Sequence, residues 1–196
     1  MIDPKALEKV VKNGISIVSF KDGKIDSARM IRDARVDWNG RVCFRFPKDS
    51  ALTAYFRNTD AFTLSILMEG TNVEAYEDLF LRFDTNCYAH DSKFSELKCI
   101  KRDRNGLYFI TECTNAIISC KIDEVSEEKD YCIICGIVTQ SQVLHDDPTL
   151  TDDVYWRTLR KHFNSYVCSW CGMLYIHLHS NPDYCVFCNS RLYEVF

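Results

Sequence analysis

Four cysteines near the end of the chain have the spacing of a metal site. Cys168 and Cys171 form one CxxC pair, and Cys185 and Cys188 form a second, within CSWCGMLYIHLHSNPDYCVFC (168 to 188). Each pair can direct two thiolates at one ion, and two pairs complete a tetrahedral all-sulfur site. The sequence therefore predicts one metal ion bound by these four cysteines. A tetrahedron of thiolates suits both zinc and iron, so a structural ion and an electron-carrying ion both fit.

The other cysteines are expected to be small core residues. The chain has eleven cysteines, and an odd count in a chain whose start lacks a signal-peptide core is not typical of a disulfide framework. Cys132 and Cys135 form a third CxxC match, but they lie in the β-branched run DYCIICGIVTQ (130 to 140). Residues three apart in a strand point to opposite faces, so we expect no metal between them.

The composition predicts a soluble protein with a substantial core. The 196 residues are 46% hydrophobic and 13% aromatic, which suffices for one ordinary domain and a small appendage. A formal net charge of -4 argues against nucleic-acid binding through charge. No apolar run reaches membrane-spanning length. We therefore expect a cytoplasmic protein with neither a nucleic-acid nor a membrane partner.

Turn dipeptides divide much of the chain into strands. Asp22-Gly23, Asn39-Gly40 and Asn105-Gly106 each separate apolar runs and predict hairpins. Further strands are predicted over 61 to 67, 115 to 122 and 130 to 140, and helices over 50 to 59, 72 to 83 and 151 to 163. This pattern predicts a mainly β barrel or sandwich with peripheral helices over residues 1 to 164. Residues 165 to 196 form the separate metal module, whose small size makes the ion necessary for folding.

Three segments of the larger domain resemble the flavin reductase-like family, the FMN-binding split barrels. They are KDSALTAYFRNTDAFTLSIL, then HDSKFSELKC followed by ITECTNAIISCKI, and KDYCIICGIVTQSQVLHDDPTLTDDVYWRTL. The third segment carries Gly136, Val138, Leu150, Tyr155 and Leu159 at the family's positions. The resemblance implies a split β-barrel that binds FMN at the interface of a homodimer. It also implies NAD(P)H or a redox protein as the electron donor.

Lys48, Ser50 and Thr53 predict a site for the phosphate of FMN. They precede or begin the helix predicted over 50 to 59, and the free N–H groups at a helix start favour an anion. The two hydroxyls can add donors, and the lysine adds a positive charge. The alternative is that Ser50 only caps the helix while Lys48 is solvated.

Three further residues on one predicted strand are candidate flavin contacts. In the strand over 27 to 38, Arg32 shares a face with apolar residues, where its charge requires an anion. That anion is either a protein carboxylate or the flavin, and the carboxylate is slightly favoured. By resemblance to the family, Ser27 and Arg29 lie where the strand approaches the flavin ring.

The terminal module resembles the short rubredoxin module found at the end of rubrerythrins. The segments YVCSWCGMLY, PDYCVFC and YEVF place Tyr166, Gly172, Pro182 and Phe196 at the positions of that pattern. The resemblance implies one iron that carries a single electron. Because flavin reductase-like domains joined to a rubredoxin recur in nature, the chain is expected to be an FMN-dependent oxidoreductase. It would pass electrons between the flavin and the four-cysteine iron.

The alternative is a non-catalytic split barrel with a structural zinc ribbon for assembly or partner binding. DWNGR (37 to 41) stands where the family usually has a serine followed by prolines. Tyr131 stands where the family commonly has a histidine. Both departures favour this alternative, and the second bears on the use of NAD(P)H.

Overall fold

The structure is a computed structural model, and it describes residues 4–48, 50, 52–70, 72–84, 93–95, 97–160, 164–170, 174–177 and 190–195. The helices are α1 (Pro4–Val11), α2 (Leu52–Phe56), α3 (Val73–Phe83) and α4 (Asp152–Val154), which continues as a π-helical turn over Tyr155–Leu159. The strands are β1 (Ser16–Asp22), β2 (Ile25–Ile31), β3 (Arg35–Val36), β4 (Val42–Pro47), β5 (Ala61–Leu67), β6 (Ile100–Arg102), β7 (Tyr108–Ile110), β8 (Thr114–Glu127), β9 (Tyr131–Val143), β10 (Asn164–Cys168), β11 (Leu174–His177) and β12 (Leu192–Val195).

One antiparallel sheet of seven strands forms the body of the protein, in the order β2-β1-β5-β8-β9-β4-β3. The rings of Phe44 on β4 and Phe62 on β5 lie with their centroids only 5.1 Å apart. In the sheet, β8 and β9 separate these two strands, and three strand spacings would hold them about 14 Å apart if the sheet were flat. The sheet is therefore curled around a shared interior, and the expected mainly β fold class is confirmed.

Alternating side chains of β5 contribute to two hydrophobic cores. Phe62, Leu64 and Ile66 point into the curl of the sheet, where they meet residues of β1, β2, β4, β8 and β9 in what we call the barrel core. Leu67 points outward into a second, outer core that is built largely from α3 and the turn after α4. Because both faces of the central strands are covered, almost every residue of β5 is buried.

The predicted hairpins are confirmed. β1 pairs with β2 across Asp22-Gly23, β3 with β4 across Asn39-Gly40, and β6 with β7 across Asn105-Gly106. The helix predicted over 72 to 83 forms as α3, and its N-terminus is capped by the side chain of Asn72, which accepts from the amide of Ala75.

Two predicted elements are shorter than expected. The strand predicted over 27 to 38 is interrupted, because β2 ends at Ile31 and β3 covers Arg35–Val36 alone. Trp38, the last residue of that predicted strand, follows β3 in the turn and is 92% exposed. The helix predicted over 50 to 59 is the single short helix α2. The start of the helix predicted over 151 to 163 is confirmed by the Thr151 cap, and residues 161 to 163 lie outside the described part.

A disulfide between Cys43 and Cys135 corrects the expectation that both are plain core residues. The two residues are directly opposite on β4 and β9, with their Cα atoms 4.2 Å apart. Cys132, three residues earlier on β9, points instead into the barrel core. The two cysteines of this CxxC therefore occupy opposite faces, as expected. The sequence could not reveal the pairing, because it depends on the register between strands 92 residues apart.

The described part of the C-terminal region forms its own antiparallel sheet, in the order β11-β10-β12. Its first strand begins at Asn164, beside the boundary predicted between residues 164 and 165. β11 lies against α3 of the larger domain. Across the residues that the structure describes, no helix has the length and apolarity needed to span a membrane.

Candidate functional site

Ser27 and Arg29 lie on β2, the strand at one edge of the seven-stranded sheet. Ser27 is buried and opposite Phe20 of β1, and Arg29 is half-buried and opposite Val18. Both share a face of β2 with Ile31, a member of the barrel core. A polar and a cationic side chain therefore lie on the core-facing side of an edge strand, where the curled sheet is not closed by backbone hydrogen bonds.

The turn between β4 and α2 holds Lys48, Ser50 and Thr53. The ammonium group of Lys48 lies 2.6 Å from a carboxylate oxygen of Glu127. Hydrogen bonds from Lys48, and then from Arg57, lower the pKa of Glu127. Ser50 Oγ accepts from the amide of Leu52, and Thr53 Oγ1 donates to the carbonyl of Lys48 at 3.1 Å. The capping role of Ser50 is thus present, while the role of these three residues at a phosphate stays a prediction.

The fold brings Ser27 and the β4–α2 turn to the same end of the barrel. Phe20, which is opposite Ser27, packs its ring 4.6 Å from that of Phe56 and 6.0 Å from that of Tyr55, both on α2. Arg32 lies beyond the other end of β2, about 15 Å along the strand from Ser27. Ser27 and the turn can therefore contribute to one site, whereas Arg32 belongs to the opposite end.

Arg32 is bound by two carboxylates of the protein. Its guanidinium donates to Asp84 at 2.7 Å and to Asp152 at 2.6 Å, and it lies 5.1 Å from the centre of the Tyr155 ring. Burial lowers the pKa of Arg32, but Asp84 and Asp152 outweigh this and the net shift is upward. Of the two anions that the sequence left open, the structure supplies the carboxylate.

Removing this guanidinium should destabilise the fold in a pH-dependent way. Burial already raises the pKa of Asp84, and Arg32 opposes that rise. Without Arg32 the folded-state pKa should rise further above its unfolded value. The stability deficit is then largest at neutral pH and shrinks as the pH falls through the raised pKa. We expect Arg32→Ala to cost about 1 to 2 kcal/mol at pH 7, less than for a fully buried pair.

Urea unfolding at neutral and mildly acidic pH measures this effect. The matched control is Arg157→Ala, which removes an exposed ion pair with Asp153 and should change stability by less than about 0.5 kcal/mol at either pH. A loss in Arg32→Ala that is the same at both pH values would contradict the role assigned to Asp84.

A groove beside β2 is a candidate site for a ligand ring. A cavity of about 350 Å³ is lined by Ile25, Asp26, Phe94, Ser95 and Tyr108. It begins at Ile25 and Asp26, next to Ser27 in sequence, but its Phe94 and Tyr108 walls lie with the outer core, on the opposite face of β2 from Ser27 and Arg29. Aromatic and aliphatic walls with a few polar groups are typical of cofactor sites. The volume is within the range of about 300 to 1,000 Å³ found for such sites.

Arg102 and Lys93 place positive charge around this groove. Arg102 lies on the β6–β7 hairpin, pairs with Asp26 at 2.8 Å and stacks 3.8 Å from the centre of the Tyr108 ring. Lys93 is only 1% exposed and donates to the carbonyl of Ala28 on β2 at 3.0 Å. The sequence singled out neither residue as a site. HDSKFSELKC was noted only for its family resemblance, and nothing local indicates that its lysine is buried against β2.

The predicted metal site is described in part. Cys168 is the last residue of β10 and is 1% exposed, whereas Cys171, Cys185 and Cys188 lie outside the described residues. Within the described ranges, Asp37, Cys43 and Cys135 are the one group of three side chains close enough to share an ion, and there the two cysteines form the disulfide. Binding of an ion by the four terminal cysteines therefore stays a prediction.

Solved structures share the fold of the larger domain. No protein-family model and no curated protein matches the sequence. The NADH:FAD oxidoreductase SgcE6 from Streptomyces globisporus aligns with a TM-score of 0.58 and 17% identity, over 76% of this chain and 89% of that one. The flavin reductase HpaC, solved with NADP+, aligns with a TM-score of 0.59 and 17% identity, over 76% of this chain and 91% of HpaC.

An FMN-binding protein from Thermus thermophilus aligns more loosely, with a TM-score of 0.55 and 10% identity over 67% of this chain and 71% of that one. At these identities the likeness shows the fold alone. The chain therefore has the flavin reductase fold that the sequence resemblance implied.

Proposed function

We propose that this protein is an FMN-dependent oxidoreductase that passes electrons between the flavin and an iron bound by Cys168, Cys171, Cys185 and Cys188. The observation that carries the proposal is the groove of aromatic residues beside the polar edge strand β2, in a fold shared with flavin reductases. When bound, FMN would exchange two electrons with a donor and single electrons with a metal centre. The chain's residues would bind it, orient it and set its surroundings.

The flavin ring would occupy the groove, and its phosphate would lie at the β4–α2 turn. Ile25, Phe94 and Tyr108 offer apolar and aromatic surface to a ring, and Asp26 and Ser95 offer polar groups at its edge. Ser27 and Arg29 are on the barrel-core side of β2, so they would contact only a part of the flavin that reaches that side. Lys48, Ser50 and Thr53 would bind the phosphate. For this, Lys48 must share its charge between Glu127 and the phosphate, which is feasible because its side chain is 49% exposed. We assign Arg32 to its carboxylate pair.

α3 links the larger domain to the small sheet. This helix contacts both β2 and β11. β11 pairs with β10, which ends at Cys168. Contact of one helix with both elements supports electron transfer within one chain.

The proposed electron donor is NAD(P)H or a redox protein. The flavin reductase HpaC binds NADP+ in its structure, and SgcE6 has been solved with NAD and FAD fragments. Tyr131, the departure from the family's histidine, pairs with Pro47 at the end of β4 and lies beneath the guanidinium of Arg45. It is therefore close to the proposed phosphate turn. We also propose a homodimer that covers Ile137 and Val143 of β9, which are 53% and 49% exposed.

The second candidate function is a split barrel without flavin, with a zinc ribbon for partner binding. One observation favours it: Lys48, Arg32 and Arg102 each already have a carboxylate partner. A barrel that needs no flavin would keep these pairs unchanged.

Titration of the full-length protein with FMN, followed by flavin fluorescence, distinguishes the two candidate functions. The oxidoreductase should quench the fluorescence at one FMN per chain, whereas the other protein should leave it unaltered.

The phosphate assignment predicts that Lys48→Ala and Ser50→Ala each weaken FMN binding about three- to tenfold, as expected for losing one charged or polar contact. Both variants should leave the affinity for riboflavin, which lacks the phosphate, nearly unchanged. Lys9→Ala, an exposed cation on α1, is the matched control. Equal affinities for FMN in all three variants and the wild type would contradict the assignment of the FMN phosphate to this turn.

A further inference from the structure

A small basic cavity lies away from the flavin groove. It has a volume of about 220 Å³ and lies where the chain after α1, the β2–β3 connection and β4 meet. Its lining consists of Lys12, Asn13, Arg32, Asp33, Ala34, Arg35 and Arg45. It shares no residue with the groove beside β2. Four of the lining residues are cationic and one is acidic, in a chain with a net charge of -4.

Two of these cations form ion pairs with carboxylates of the protein. Arg32 is bound by Asp84 and Asp152, and Arg45 pairs with Asp33 at 2.9 Å. Lys12 and Arg35 are exposed and form no ion pair with any residue of the described ranges. Because Arg32 has two carboxylate partners and Arg45 has one, the four cations and three carboxylates leave one net positive charge at the cavity.

The fold restrains the arginines of this cavity before any ligand arrives. Arg35 is on β3 opposite Cys43 of β4, and Arg45 follows two residues further along β4, on the same face of the sheet. The guanidinium of Arg45 also stacks 4.6 Å from the centre of the Tyr131 ring. Paired strands thus fix the backbone of both arginines, and Asp33 and Tyr131 also hold the side chain of Arg45, so that side chain need lose little freedom on binding an anion.

The geometry points to a binding site for a phosphate group, and we propose that this cavity binds the dianion of a phosphomonoester or free phosphate. Guanidinium groups match phosphate oxygens with pairs of parallel hydrogen bonds, and lysine adds a point charge. The volume is below the roughly 300 Å³ at which pockets for whole ligands begin. A phosphate group would therefore enter while the rest of a larger ligand stays outside. This proposal does not rest on the proposed flavin chemistry.

Equilibrium dialysis of the full-length protein against labelled inorganic phosphate at low ionic strength tests the proposal. We expect saturable binding of one phosphate per chain. Arg35→Gln and Lys12→Gln should each weaken binding about three- to tenfold. Because both side chains are exposed, the thermal unfolding of the variants should match the wild type. Binding of inorganic phosphate should also strengthen as the pH rises through the second pKa of phosphate, where the monoanion becomes the dianion.

Two controls locate the phosphate. Lys121→Gln removes an exposed cation of β8 that lines none of the cavities described, and it should bind phosphate as the wild type does. Lys48→Ala removes the cation of the β4–α2 turn, where the phosphate of FMN is proposed to bind. Loss of the saturable binding in that variant, together with unchanged binding in Arg35→Gln and Lys12→Gln, would place the phosphate at that turn and overturn the proposal. Equal binding in wild type, Arg35→Gln and Lys12→Gln, or no saturable binding, would overturn it as well.

Competition by AMP and by adenosine identifies the source of the phosphate group. Displacement of labelled phosphate by AMP but not by adenosine would support a nucleotide phosphate. Failure of AMP to displace a phosphate that still depends on Arg35 and Lys12 would support free phosphate. Displacement by adenosine as strongly as by AMP would show that the nucleoside rather than the phosphate is recognised, and would overturn the proposal.

Discussion

Replacing Cys168 with serine is expected to release the metal ion from the C-terminal module while the seven-stranded barrel stays folded. The free energy of binding at a structural site with a full set of ligands is about 10 to 16 kcal/mol at neutral pH, and in a module this small it is also the free energy of folding. Losing one thiolate should make the ion accessible to a chelator. The three-stranded sheet of β10, β11 and β12 should then open, because its few residues bury too little surface to fold alone.

Metal analysis after a chelator wash, together with limited proteolysis, measures this outcome. Wild type should retain about one ion per chain and resist cleavage, whereas Cys168→Ser should lose the ion and be cut near residue 164. Cys99→Ser, at a half-buried free cysteine of the larger domain, is the matched control and should retain the ion. Unchanged metal content in Cys168→Ser would place the ion elsewhere, with Asp37, Cys43 and Cys135 as the first group to examine.

Gly136→Ala is expected to destabilise the barrel by about 1 to 3 kcal/mol through overpacking. A methyl group at this position of β9 would lie 2.7 Å from Phe62 Cε1, 2.8 Å from Cys120 Cβ and 3.0 Å from the carbonyl oxygen of Lys121. The last two belong to β8, whose backbone is hydrogen-bonded to β5 and β9. The neighbours can therefore give way only by distorting the sheet. This gives a physical reason for glycine at this position of β9.

Thermal or urea unfolding measures the Gly136 effect, and the expected fall in Tm is about 2 to 4 °C for each kcal/mol. The control is Lys101→Ala on β6. Its side chain is exposed, so the change should be within about 0.5 kcal/mol. A Gly136→Ala protein as stable as the wild type would show that β8 and β9 can separate slightly at this point without cost.

Elements with local signals were predictable from the sequence. The hairpin at Asp22-Gly23 and the capped helix α3 are specified by residues within one or two turns of chain, and both form as expected. β5 also forms over 61 to 67 as predicted, although both its faces are buried and it lacks a polar face. For a strand such as β5 that lacks alternating polar residues, the prediction depends on the length of the apolar run and on the turns that flank it.

Features that depend on distant partners were not predictable. The burial of Arg32 among apolar residues could be inferred, but not that Asp84 and Asp152 would bind it. The disulfide of Cys43 with Cys135 depends on the pairing of β4 with β9. Lys93 lies in a polar segment and is buried only because that segment folds against β2. In each case the neighbouring sequence shows that a residue could be buried or paired, but only the tertiary fold determines which distant residue it contacts.

The most direct test of the central claim is the visible spectrum of anaerobically handled, untagged full-length protein, recorded with metal analysis and after addition of FMN. An FMN-dependent oxidoreductase with a four-cysteine iron should show flavin absorption that corresponds to about one FMN per chain. It should also show ferric–thiolate bands and contain about one iron per chain. Cys168→Ser should lose the ferric–thiolate bands and keep the flavin. A colourless protein that holds zinc and takes up no FMN would contradict the proposed oxidoreductase function and support a partner-binding barrel with a structural zinc ribbon.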